Sequence, residues 1–153
     1  CAKRFSAFGT KIIAVDIAKP ENEVYSDFYD IKEIVKALEI SDVVVLTVPL
    51  TSKTKGMFNE EMFSHFKDGS VLVNISRGAV VNEKDLVKAL ESGILSGAVL
   101  DVFENEPLAE NSGLWEKKNV VITPHNSFVS SKNNARLFFF FYGNIKTLMK
   151  GLV

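Results

Sequence analysis

Residues 70–102 read SVLVNISRGAVVNEKDLVKALESGILSGAVLDV, and this stretch decides the fold. It opens with Ser70–Ile75, a short run of valine and leucine of the kind a strand buried on both faces requires. Glu83–Ser92 then sets Leu86, Val87 and Leu90 on one helical face, and Gly93 supplies the stop. A second apolar run, Gly97–Val102, follows at once. Strand, helix and strand in so short a span make a βαβ unit, whose strands lie parallel because the helix crosses over the sheet.

The same alternation extends in both directions. Upstream, Ala2–Phe8 reads as a helix already under way, Lys11–Val15 is a β-branched run ending on Asp16, and Val43–Val48 is a continuous apolar run stopped by Pro49. Between them Asp30–Glu39 places Ile31, Ile34, Val35 and Leu38 on one face, with Asp30 as N-cap. Asn59–Phe66 is helical, and Lys67-Asp68-Gly69 turns the chain into the strand at Ser70. Downstream, Asn119–Thr123 completes the strands and Ser127–Lys150 is expected to form a long final helix. Strands apolar on both faces, separated by helices of about ten residues, predict an α/β fold with a doubly wound parallel sheet. No internal repeat interrupts it, and Glu104–Ser112 reads as a loop inside the domain.

Composition narrows the function. The 153 residues are 46% hydrophobic and 24% charged, with a formal net charge of −1, so the chain is an ordinary globular domain with no basic field for nucleic acid or anionic lipid. A single cysteine, Cys1, excludes an intrachain disulfide and fits a reducing cytoplasm. The longest apolar run of the final helix, Leu137–Tyr142, is too short to span a bilayer, so no membrane partner is expected.

In open parallel sheets ligands bind beyond the carboxyl ends of the strands, so polar residues there carry the functional weight. Asp16 ends a strand; in a dinucleotide-binding fold a carboxylate there accepts hydrogen bonds from ribose hydroxyls and repels a 2′-phosphate, favouring NAD over NADP, and the alternative is a solvated strand-end aspartate. Arg77, just after a buried strand and beside Gly78, offers a guanidinium that can grip a carboxylate through two parallel bonds. Glu106 lies in Glu104-Asn-Glu-Pro107 and His125 in Thr123-Pro-His125. A histidine at such an edge can donate a proton near neutral pH, and a neighbouring carboxylate fixes its tautomer. His65, on the apolar edge of a helix, reads instead as structural. No metal-ligand set is assigned. No G-x-G-x-x-G, the usual phosphate-binding fingerprint, occurs in the sequence.

Taken in order, Phe8-Gly9, Asp16, Val48-Pro-Leu-Thr51, Asn74-Ile-Ser-Arg-Gly-Ala79, Gly97–Leu108 and Asn119–His125 resemble the D-isomer-specific 2-hydroxyacid dehydrogenases. The resemblance covers nearly the whole chain. It implies a Rossmann-like cofactor domain in which Arg77 orients the substrate's carboxylate and carbonyl, His125 exchanges a proton with the carbonyl oxygen, and Glu106 keeps His125 protonated. It further implies that Asp16 binds the adenosine ribose of NAD and that Val48, Pro49 and Thr54 border the adenosine. Ile75 and Ser76 would lie along the cofactor, with Asp101 on the nicotinamide side. The implied partner is a small 2-hydroxy or 2-oxo acid, and the implied assembly a cytoplasmic homodimer. Asn126-Ser127-Phe128 departs from the small residues common after the family's histidine.

The resemblance also implies that the first strand, the glycine loop and a substrate domain of roughly a hundred or more residues precede Cys1. Residues 1–126 then form a partial NAD-binding domain, and residues 127–153 a helix that packs on that missing domain or on a partner subunit. Ordinary packing against its own sheet is the alternative. A doubly wound sheet without its central first strand leaves two neighbours unpaired, and the chain alone is expected to bind no cofactor. A different functional class remains open at this point: a cofactor-sensing protein-interaction module on the same fold, as in some corepressors.

Overall fold

The computed structural model describes residues 1–21 and 24–150. Every ladder in it is parallel, but the strands fall into two separate sheets. The first joins β1 (Ile13–Asp16) to β2 (Asp27–Asp30), with Val15 opposite Tyr29. The second runs in the order β3 (Val43–Leu46), β4 (Ser70–Asn74), β5 (Leu95–Leu100), β6 (Val120–Ile122). Val71 of β4 lies opposite both Val43 and Gly97, and Ala98 lies opposite Val120. Among the described residues β1 therefore pairs with β2 alone and β3 with β4 alone, leaving one edge of each without a ladder partner.

Helices close the connections: α1 (Ala2–Phe5), α2 (Ile34–Leu38), α3 (Glu60–Phe63), α4 (Glu83–Glu91) and α5 (Asn133–Lys150). Their starts follow local chemistry. The side chains of Asn59 and Asn82 accept from the backbone N–H of Met62 and Asp85, capping α3 and α4. Asp30 caps a 3₁₀ turn that leads into α2 by accepting from Lys32. Past the end of α4, Gly93 takes φ 82°, a left-handed value that a side chain would oppose.

The core lies around the four-stranded sheet. Leu72 and Leu95 are fully buried, and Leu86, Phe63 and Leu114 are 1% exposed; burying each such side chain is worth roughly 1.5–3 kcal/mol. The β1–β2 pair contains no buried residue.

Several features differ from the sequence reading. The helices expected over residues 2–8, 30–39 and 59–66 are α-helical only at Ala2–Phe5, Ile34–Leu38 and Glu60–Phe63, with 3₁₀ turns or loop completing them. Strand β2 was not expected, because Asp27-Phe-Tyr-Asp30 has acids at both ends and no β-branched residue. The last helix starts at Asn133, not Ser127. The backbone N–H of Ser127 is held by the Asp101 carboxylate, and the Asn133 side chain donates back to the carbonyl of Phe128, so residues 127–132 turn before the helix begins. From Asn134 to Met149 every residue of α5 is exposed, including four consecutive phenylalanines at 58–70%. Packing against its own sheet is thus not what this helix does; residues 151–153 lie outside the described part.

Candidate active site

The carboxyl end of β4 is organised by Asn74, whose side chain is fully buried. Its Oδ1 accepts from the backbone N–H of Ser76 at 3.1 Å and from the Ser76 hydroxyl at 2.8 Å. Its Nδ2 donates to the carbonyl of Arg77 at 3.2 Å. The amide thus folds the next three residues into a tight turn, with Ser76 buried and Arg77 exposed at its tip. The guanidinium leans on the Ser76 carbonyl at 2.6 Å through Nη1.

Gly78 is needed because another backbone segment lies against it. A Cβ at this position would sit 1.8 Å from the carbonyl carbon of Phe103. The Arg77 loop and the 103–106 loop are thus pressed together backbone to backbone, a contact that only glycine permits.

The 103–106 loop curls around Glu106. Its Oε1 accepts from the backbone N–H of Phe103 at 3.1 Å, while Oε2 lies 2.7 Å from His125 Nδ1. The His125 hydrogen bond holds the Glu106 carboxyl below the usual carboxylate range; burial opposes this and the Phe103 N–H assists it. Both side chains remain partly exposed, at 36% for Glu106 and 40% for His125. With Nδ1 engaged, Nε2 is the ring nitrogen left to meet a ligand.

His125 itself sits at φ 49°, a left-handed conformation costing a non-glycine residue about 1–2 kcal/mol. Asp101, at the end of β5 and 2% exposed, holds the backbone there. Its Oδ1 accepts from the Thr123 hydroxyl at 2.5 Å and from the Asn126 N–H at 2.9 Å, and its Oδ2 from the Ser127 N–H at 3.0 Å. Burial pushes this carboxyl up, but the bonds from Thr123, Ser127 and Asn126 outweigh it and bring the pKa down to about 2. The backbone N–H of Asp101 bonds to the carbonyl of Asn74 at 3.0 Å, tying the His125 loop to the Arg77 loop. Phe128 stands edge-on to the His125 ring, with centroids 6.4 Å apart.

The remaining sequence-assigned residues occupy other strand ends. Asp16 is exposed at the end of β1, its Oδ1 accepting only from the adjacent Ile17 N–H among the described contacts. Val48 is half-buried against the core beyond β3, next to the exposed Pro49. Thr54 closes the following loop by donating to the Pro49 carbonyl at 2.7 Å and accepting from the Thr51 N–H at 2.8 Å. Ile75 is half-buried beside Ser76. Glu106 and His125 meet directly, and Arg77 is coupled to them through Gly78 and Phe103; Asp16, Val48, Pro49 and Thr54 make no hydrogen bond to that group. The donor set suits a dinucleotide: an exposed carboxylate for ribose hydroxyls at β1 and apolar walls beyond β3.

The sequence assigns no role to Asn74, Thr123, Glu83 or Glu104. The last two each accept the other's backbone N–H, at 2.7 Å into Glu104 Oε1 and 2.5 Å into Glu83 Oε1. The acid at the first position of a helix was the available signal.

Comparison with known proteins gives the family. The family profile described as D-isomer specific 2-hydroxyacid dehydrogenase, NAD binding domain, matches residues 1–127. The chain is 40% identical over 136 residues to a glyoxylate reductase of Korarchaeum cryptofilum, covering 89% of this chain and 41% of that protein. It is 38% identical over 146 residues to a hydroxypyruvate reductase of Blautia hydrogenotrophica, covering 95% and 45%. Among solved structures, an NADPH-dependent glyoxylate/hydroxypyruvate reductase from Sinorhizobium meliloti in complex with NADP and sulfate superposes with a TM-score of 0.89. That match has 35% identity and covers 98% of this chain and 48% of the other. The chain spans less than half the length of each of these relatives.

Proposed function

This chain belongs to the D-isomer specific 2-hydroxyacid dehydrogenases, as their NAD-binding domain, and from that premise we propose that the whole protein interconverts a small 2-oxo acid and its D-2-hydroxy acid. The observation that carries the proposal is the 2.7 Å pairing of Glu106 with His125, whose loops are fastened to the one bearing Arg77. The relatives named glyoxylate and hydroxypyruvate reductases support a substrate of two or three carbons.

Arg77, exposed at its turn, binds the substrate carboxylate and orients the carbonyl toward His125. Asp16, Ile75 and Ser76 would hold a nicotinamide cofactor, which when bound would supply hydride for C2. His125 gives the proton from Nε2 to the carbonyl oxygen during reduction, and takes it back in oxidation. Glu106 holds Nδ1, which fixes the ring's orientation and leaves Nε2 toward the substrate. Asp16 accepts from the adenosine ribose and favours NAD over NADP, Val48, Pro49 and Thr54 flank the adenosine, and Ile75 and Ser76 line the path between. Asp101 has its oxygens committed to Thr123, Asn126 and Ser127, so its contribution on the nicotinamide side is to shape the loop bearing His125.

We further propose that a substrate domain lies outside these residues, in keeping with the length of the relatives, and that α5 packs on it or on the second subunit of a cytoplasmic homodimer. Among the described residues no helix is long and apolar enough to cross a membrane.

The test is hydride transfer by the full-length protein from NADH, and in parallel NADPH, to glyoxylate and hydroxypyruvate. Replacing Arg77 or His125 with Ala lowers kcat/KM by about 100-fold or more. Wild-type rates in both variants would remove the role assignment.

A further inference from the structure

The Glu106–His125 pair hangs on a loop that is itself held from outside. Phe103 and Glu104 present consecutive backbone N–H groups. The first is taken by Glu106 at 3.1 Å and the second by Glu83 at 2.5 Å. Glu104 returns the bond, accepting from the N–H of Glu83 at 2.7 Å. Glu83 is the first residue of α4, where N–H groups have no partner within the helix and a carboxylate is favoured. The two glutamates therefore clasp the start of α4 to the turn that ends in Glu106. Two like charges brought this close carry a cost, and burial together with the neighbouring Glu104 charge raises the Glu83 carboxyl above its ordinary value even as the Glu104 N–H counters. An arrangement that bears this cost has a positional use.

We propose that Glu83 and Glu104 are positioning residues for the Glu106–His125 pair, setting where the Glu106 carboxylate stands by fixing the loop at Phe103 and Glu104. The role rests on the reading of His125 as the proton donor, but it can be measured without turnover. Loosening the loop weakens both bonds to Glu106, from Phe103 and from His125, and so raises the carboxyl's titration midpoint. Deleting a nearby negative charge would lower that midpoint. The two effects have opposite signs, so a positional role and a purely electrostatic one separate cleanly. The charged groups acting on Glu106 are His125 and, just beyond the end of β5, Asp101.

The experiment follows the Glu106 side-chain carboxyl carbon by NMR across pH in the full-length protein carrying ¹³C-labelled glutamate. Glu104→Ala is expected to raise the Glu106 midpoint by on the order of half a pH unit. Glu104→Gln, which keeps an oxygen acceptor for the Glu83 N–H, restores the wild-type value or falls below it. Glu83→Ala and Glu83→Gln behave in the same way and decide the matter if Glu104→Ala does not fold. Midpoints at or below wild type in both alanine variants would overturn the proposal. So would unfolding of both, because the clasp would then hold the domain and not the loop. His125→Ala serves the underlying reading: if it leaves Glu106 unmoved, the pairing fails, whatever the clasp does.

Discussion

A carboxylate that is 2% exposed stays ionised only if its bonds repay its lost hydration. Asp101 achieves this with one hydroxyl and two backbone N–H groups, all from residues 123–127. Its pKa near 2 lies below the ordinary value of 3.8. The stability it contributes is therefore complete above about pH 4 and disappears as the pH falls through about 2, amounting to about 2 kcal/mol. Asp101→Asn should lower the urea unfolding free energy by about that amount at pH 7. Its gap from wild type should close progressively in unfolding curves taken from pH 5 down to pH 2. The places of Arg77 and His125 just beyond strands, and of Glu106 in the loop after β5, are readable from the sequence; their roles are proposals. The grip of Asp101 is not readable there, since its partners stand 22 to 26 residues away and two of them are backbone amides. No pattern of side chains advertises a backbone donor.

At the level of elements, the sequence carried its clearest signals where the side chain and backbone act locally. Asn82 caps α4 by accepting from the Asp85 N–H at 3.1 Å, and Leu86, Ala89 and Leu90 are buried at its helical spacing. Asp30 accepts from Lys32 in a similar way but caps the 3₁₀ turn ahead of α2, not the helix its position before an apolar face predicted. Strand β2 gave no such signal, because among the described residues its only ladder is with β1 and its four residues lack an apolar run. The α4 cap is the element-scale quantity that can be measured directly. Asn82→Ala removes the acceptor and should cost about 1 kcal/mol, read as a shift in the urea midpoint at unchanged slope. Because α4 is also the anchor for the Glu83–Glu104 clasp, a change in slope would show that the cap supports more than its own helix.

At the level of the whole molecule, the division into two ladders governs stability. The four-stranded sheet has the core, from Leu72 and Leu95 out to Phe58, Phe63 and Leu114, and it holds Arg77, Asp101 and the approach to His125. The β1–β2 pair buries nothing fully and shares no ladder with it, yet carries Asp16, the residue proposed for the ribose. The doubly wound topology expected from the alternation of strands and helices is present in its parallel pairing and covering helices. The break between β1 and β3 follows from each having a single partner strand. Such a pair should open without the rest, since few buried contacts oppose it. In native-state hydrogen exchange, amides of Val15 and Tyr29 are expected to exchange about 100-fold or more faster than those of Leu72, Val73 and Val99. Leu72→Ala should then speed the β4 and β5 amides while leaving β1 and β2 nearly unchanged. A single common rate for all six strands would show instead that the two sheets unfold as one cooperative body, held together by α2 and the loops between them.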